Sequence, residues 1–176
     1  MDVSRFILEF AKKKRLDWLE RRYLDLISPL NQFLANILKG RAVLILSDDE
    51  REWYIDYIIN KINDFKSFKP TLIPIFNLYS IVPQIKYAKT QAHFNMIEDM
   101  LGIAFKDDYT FWYIGKEDFL FDFVKDKETF FWVFDKDFQD NFYLNSMDEN
   151  LDRKLIDLIE LVKEGIIGAI LGEISV

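Results

Sequence analysis

The chain has 176 residues, half of them hydrophobic and 16% aromatic, with 30 acids against 23 bases and no cysteine. That much apolar side chain supplies a substantial core and excludes a disordered chain, while the missing thiol excludes disulfide frameworks and thiolate metal sites. A net charge of −7 argues against direct contact with nucleic acid, because each neutralised phosphate needs a lysine or arginine.

In chain order, the opening "MDVSRFILEFAKKKR" lacks the layout of a signal peptide. Residues Val3 to Lys39 read as helix, with Phe6, Ile7 and Phe10 on one face. A second stripe follows through Leu16, Leu19, Tyr23, Leu26, Leu30, Phe33 and Ile37 at spacings of three and four. Pro29 behind Ser28 predicts a break or kink, and Gly40 predicts the helix end. Lys12, Lys13, Lys14 and Arg15 form the one basic cluster and read as a solvated helix face.

"RAVLILS" (Arg41 to Ser47) is short, apolar and unalternating, which suits a strand buried on both faces. A helix follows from Asp48 to about Asn63. "TLIPIFN" (Thr71 to Asn77) is a second strand, and Pro74 assigns it to an edge or a strand end. Gln91 to Leu101 is helical, "YTFWYIG" (Tyr109 to Gly115) is a strand, and a short helix spans Glu117 to Lys125. "TFFWVFD" (Thr129 to Asp135) is the fourth strand, and Asp148 to Glu164 is a helix. The tail "GIIGAILGEISV" reads equally as helix or strand, and its run "IIGAIL" is far short of the ~20 residues of a membrane span. The expectation is a soluble cytoplasmic protein without membrane contact. Its fold class is α/β, a single domain over residues 1–176, built as a three-layer sandwich around an open parallel sheet of four to five strands.

Ligands of such sheets bind beyond the carboxyl ends of the strands. Here those ends carry Ser47-Asp48-Asp49-Glu50, Asn77, Gly115-Lys116 and Asp135. A phosphate needs bare backbone N–H groups, whereas the first turn offers three carboxylates and no glycine. A receiver-like metal site on Asp48, Asp49, Asp135 and Lys116 is disfavoured, since adjacent turn residues point apart and the lysine and aspartate come in the reverse order. Ser47 and Glu50 instead match the S-x-x-E spacing of a capping box. His93, the only histidine, reads as structural, and one histidine without cysteine assembles no zinc site or Cys/His dyad. No cofactor is expected. The apolar N-terminal helices and Gly165, Gly168 and Gly172 suit either a homo-oligomer or packing within the chain.

The string "LILSDDEREWYIDYIINKIN", with "IEDML" (Ile97 to Leu101), "FWYIG" (Phe111 to Gly115), "FFWVFD" (Phe130 to Asp135) and "LDRKL" (Leu151 to Leu155), resembles the HobA family. These are replication-initiation regulators of ε-proteobacteria that bind the initiator DnaA. The resemblance spans nearly the whole chain in the same order. It implies a Rossmann-like fold related to sugar-isomerase (SIS) domains, and a homotetramer built as a dimer of dimers. It also implies a non-enzymatic role, binding the N-terminal domain of DnaA and promoting its assembly at the origin. An SIS-type sugar-phosphate binder or isomerase is the alternative, and the glycine-free first loop departs from it. No motif marks the partner contacts. Exposure logic points to Asp49, Arg51, Lys116 and Phe119.

Overall fold

The structure is a computed structural model that describes residues 1–64 and 72–176. In chain order its elements are α1 (Val3–Lys14), α2 (Asp17–Leu38), β1 (Ala42–Ser47), α3 (Glu52–Ile62) and β2 (Ile75–Asn77). They continue with α4 (Leu78–Ile81), α5 (Gln91–Phe105), β3 (Tyr109–Gly115), α6 (Phe119–Val124), β4 (Thr129–Val133) and α7 (Leu151–Ile170). The four strands form one all-parallel sheet in the order β2-β1-β3-β4. The parallel α/β architecture read from the sequence is present, with four strands.

Every residue of β1 is buried, so this strand needs cover on both sides. The side-chain alternation of β3 and β4 shows what supplies it. Trp112, Phe130 and Trp132 point to α2, where Phe33 stacks on Phe130 at 4.6 Å and tilts against Trp112 at 5.1 Å. Phe111, Tyr113 and Phe131 point the other way, to Phe121 and Phe123 of α6, and Phe123 in turn stacks on Phe94 of α5. On the α2 side, α3 and α7 also meet, the buried Tyr54 hydroxyl donating to the carbonyl of Leu155.

The predicted break at Pro29 does not occur. Pro29 lies buried inside α2, which continues unbroken to Leu38, and Ser28 donates to Asp140 rather than capping a helix. The chain reverses earlier, at Arg15, whose φ of 58° ends α1 in the left-handed region. Burial of Leu26, Leu30, Phe33 and Ile37 outweighs the one hydrogen bond that the proline forfeits. Gly40 does close α2: its N–H reaches the Ile37 carbonyl and that of Arg41 reaches Asn36, at a φ of 81°. Lys13 and Lys14 pair with Glu164 and Glu160 of α7, so the basic cluster is an ion-paired helix face.

Strand β2 is shorter than read from the sequence, and Thr71 lies outside the described residues. The carbonyl of Pro74 accepts from Val43, but the proline has no N–H to extend the ladder. The tail is helical through Ile170. A Cβ on Gly165 would sit 3.2 Å from the Phe6 ring, and one on Gly168 would sit 2.7 Å from Ile174. Both glycines therefore serve close packing within the chain, and the stripes of α1 and α2 are buried there as well.

Phe33→Ala is expected to lower stability by about 3–5 kcal/mol, the usual cost of truncating a buried aromatic. Leu24→Ala, at an exposed position of the same helix, should stay within ~0.5 kcal/mol. Urea unfolding followed by tryptophan fluorescence separates the two.

Candidate functional site

The carboxyl ends of β1 and β3 are joined at their tips by Asp48, whose N–H reaches the Ile114 carbonyl at 3.3 Å. Asp48, buried just past β1, turns its carboxylate across the sheet, and Oδ2 accepts the Lys116 backbone N–H at 2.7 Å. Gly115 makes room for this. It holds a φ of 146°, and a Cβ there would lie 2.5 Å from the Asp48 carboxyl carbon. Oδ1 of Asp48 and Nε of Arg51 are buried with no hydrogen-bond partner among the described residues. Burial pushes the Asp48 carboxyl above the ordinary aspartate range, against the pull of the Lys116 N–H and the Arg51 guanidinium.

The expected capping box is absent. Ser47 is the last buried residue of β1, its hydroxyl donates to the Asp48 carbonyl, and Glu50 is exposed. The helix instead begins as a 3₁₀ turn over Asp49–Arg51 without a side-chain cap. Its first bond is Arg51 N–H to the Asp48 carbonyl at 3.1 Å. The spacing suited a box, but Ser47 is held in the strand, where the buried Tyr79 hydroxyl reaches its carbonyl at 2.5 Å.

Around this contact the mouth is acidic. Asp118 caps α6 by accepting from the N–H groups of Leu120 and Phe121. The Tyr113 hydroxyl lies 2.9 Å from the same Asp118 oxygen and 2.5 Å from the Lys116 carbonyl. Burial raises Asp118, and Asp49 adds to the shift by like-charge repulsion. The two cations are already engaged: Arg51 lies 3.4 Å from Glu50 and over the Phe134 ring, and Lys116 is 4.0 Å from the same Glu50 oxygen. The one backbone N–H that a glycine leaves accessible here, that of Lys116, is satisfied by the protein's own carboxylate. An anion arriving at this mouth would meet occupied donors and repelling charge.

Of the four residues picked from the sequence, the structure brings Arg51 and Lys116 together through Glu50. Asp49 sits beside the start of α6, where Phe119 is 40% exposed. Arg51 is the least accessible, folded onto Phe134. Asp135, the fourth strand end, is spent on Ser146, whose N–H and hydroxyl it accepts at 2.8 and 2.5 Å. These bonds hold its carboxyl below the usual aspartate range. His93 is exposed and its Nδ1 accepts the Lys89 N–H at 3.3 Å, a local role at the start of α5. Among the described residues no group of three or more His, Cys, Asp or Glu could hold a metal ion.

Sequence reasoning missed Tyr79, Tyr113 and Asp118, which fix the mouth from beneath. Asp118 ahead of the apolar "FLF" was a readable helix-start signal; the tyrosines carry none. It also missed a hollow of about 740 Å³ beside β4, lined by Arg22, Asp25, Asp137, Phe138, Asp140 and Tyr143, among others.

Two substitutions at Asp48 should diverge. Asp48→Asn keeps an acceptor for Lys116 and removes a buried charge, so at pH 7 it should be no less stable than the parent. Asp48→Ala leaves the Lys116 N–H unpaired and should cost about 1–3 kcal/mol. Because the folded carboxyl binds its proton more readily than the unfolded one, parental stability from this group rises as pH falls through the folded value. Any advantage of Asp48→Asn should therefore shrink toward pH 4. Thermal melts across that range read all three proteins.

The comparisons with known proteins follow the same fold. The sequence profile of the family described as "HobA: DNA replication regulator" matches residues 1–176. The DNA replication regulator protein HobA of Helicobacter pylori (strain ATCC 700392 / 26695) is 25% identical over 164 residues, covering 90% of this chain and 86% of its own. A crystal structure of HobA from Helicobacter pylori superposes with a TM-score of 0.78 at 20% identity, covering 96% of this chain and 91% of that one. A crystal structure of a HobA–DnaA (domain I-II) complex from the same organism gives the same TM-score and coverage at 19% identity. With its whole length matched, the chain belongs to the HobA family of DNA replication regulators.

Proposed function

We propose that this protein is a non-enzymatic regulator of replication initiation that binds the N-terminal domain of DnaA and promotes its assembly at the origin. It acts in the cytoplasm as a single-domain protomer of a homotetramer, a dimer of dimers with Rossmann-like and SIS-like protomers, and touches neither nucleic acid nor membrane directly. The observation that carries this reading is the family match along the entire chain, beside a relative of the same fold crystallised with DnaA domain I-II. The acidic balance of the chain supports it: an excess of seven negative charges leaves the phosphate contacts to the partner. So does the strand-end mouth, whose free donor is taken by Asp48; an SIS-type sugar-phosphate site would need that donor open. No helix among the described residues is long and apolar enough to cross a membrane.

The contact surface in this proposal is the rim formed by Asp49, Arg51, Lys116 and Phe119. Phe119 supplies an exposed aromatic anchor, and such residues dominate binding energy when a partner covers them. Co-elution of the chain with the isolated DnaA N-terminal domain in size-exclusion chromatography at micromolar concentration is the expected result. Phe119→Ala and Lys116→Glu should each weaken binding about tenfold or more by calorimetry without changing the melting temperature. Absence of co-elution, together with a melting shift on adding a sugar phosphate, would overturn the proposal.

A further inference from the structure

Lys116 is an exposed residue whose backbone is held from both sides by buried groups. Its N–H goes to Oδ2 of Asp48 at 2.7 Å, and its carbonyl lies 2.5 Å from the hydroxyl of Tyr113. That hydroxyl is also 2.9 Å from Oδ1 of Asp118, the oxygen that takes the N–H groups of Leu120 and Phe121 at the start of α6. The connection from β3 to α6 is therefore gripped at Lys116 and again at Asp118, with Tyr113 reaching both points. Connections on a protein surface ordinarily leave many of their polar groups to water. On the other side of the crevice, the turn over Asp49–Arg51 has no side-chain cap and takes its first bond from the carbonyl of Asp48. One residue thus roots both halves of the rim, by its carbonyl on the β1 side and by its carboxylate on the β3 side.

Stability alone does not account for this arrangement. Tyr113 and Asp48 are both buried, and one Asp48 oxygen has no partner among the described residues. Buried polar groups of this kind add little net stability over apolar groups of the same shape. What they do add is geometry, because each bond fixes a direction and a distance. The segment they fix carries Lys116 and leads directly into Phe119, whose ring is exposed at the first position of α6.

We infer that Asp48 and Tyr113 are positioning residues for the contact with DnaA. From beneath the rim they hold Lys116 and Phe119 at a fixed separation from Asp49, so the surface is presented to the partner already in its bound arrangement. This role rests on the DnaA-binding reading above and involves no contact by either residue, since both are buried. A surface fixed in advance loses little freedom on association, whereas a loose one is competent for only part of the time. The consequence is kinetic. Loosening the segment lowers the fraction of free molecules that can be captured and so slows association, while the bound complex keeps its contacts and its dissociation rate. Removing a contact side chain acts the other way and speeds dissociation.

Surface plasmon resonance reads both rates, with the full chain immobilised and the DnaA N-terminal domain in flow. Tyr113→Phe keeps the ring against Phe121 and removes only the hydroxyl. It should weaken binding about fivefold through the association rate, as when about a fifth of the free molecules are competent. Dissociation should stay within about twofold of the parent. Asp48→Ala should behave in the same way, and Asp48→Asn, which keeps an acceptor for Lys116, should restore the parental association rate. Phe119→Ala is the contrast, with faster dissociation. Exchange of the Lys116 amide proton, followed by NMR, should be faster in Tyr113→Phe and Asp48→Ala than in the parent or Asp48→Asn. Every variant is compared below its own melting temperature, and if Asp48→Ala does not fold, Tyr113→Phe decides. An unchanged association rate in Tyr113→Phe, or a loss carried by dissociation, overturns the inference while the DnaA-binding reading stands. No binding by the parent chain overturns that reading and the inference with it.

Discussion

A parallel strand that is apolar up to its last residue cannot show either face to water. Strand β1 imposes that condition on the whole chain, because all six of its residues are buried. Parallel strands also need a crossover between each pair, and right-handed crossovers deposit helices on the sheet. Moving from β1 out to β2 and then back across to β3 reverses direction. The helices of those two crossovers, α3 and α5, must therefore lie on opposite faces. The α3 side gains α2 and α7, with α1 beyond them; the α5 side receives only α5, α6 and the short turns before them. The two layers are unequal, and the thinner one carries the exposed Met96 and Met100 of α5.

The two edges of the sheet are treated as unequally as its faces. At β4 the following loop returns along the strand, and the buried Asn141 side chain both accepts from and donates to the backbone of Val133. Together with the backbone bonds from the Phe142 N–H to the Phe131 carbonyl and from the Asp135 N–H to the Leu144 carbonyl, this amide imitates a neighbouring strand and covers the edge. At β2 the strand is only three residues long, and Phe76 stays partly open beside Phe105. Shortness protects this edge from strand pairing but leaves apolar side chain uncovered.

How much of this was legible depended on whether sequence neighbours or distant contacts decided the outcome. Strands β1 and β3 announced themselves because runs such as "VLIL" and "FWYI" have no polar face to offer. Helix α7 announced itself through spacing. The helix end at Gly40 followed from a residue that tolerates a positive φ. The turn at Arg15 was hidden, since nothing about arginine favours the left-handed region; α1 folding back onto α2 selects it. Pro29 misled for the same reason, as tertiary burial overrode a local preference. At the candidate site, the acids of the first turn were visible, but their division of labour was not. Asp48 is turned inward by a donor 68 residues away, while Asp49 and Glu50 stay in water.

That inward turn explains how a crevice of the ligand-binding kind can serve as a plain surface. In open parallel sheets the carboxyl ends of adjacent strands splay apart and leave unpaired N–H groups where an anion can settle. Here Asp48 occupies that place covalently, as a carboxylate the chain carries itself. The cost is a buried charge whose only full bond is to Lys116, with Arg51 nearby; the gain is that β1 and β3 are tied at their tips and the loops above them are fixed. Gly115 is the enabling residue, because any side chain there would meet Asp48. With the crevice closed by its own aspartate, the groups left facing outward are Asp49, Glu50, Lys116 and Phe119. These are two acids, a lysine held by one of them, and an aromatic ring in the open. In the proposed complex with DnaA, this set of mixed chemistry on a rigid backing is the surface the partner would read.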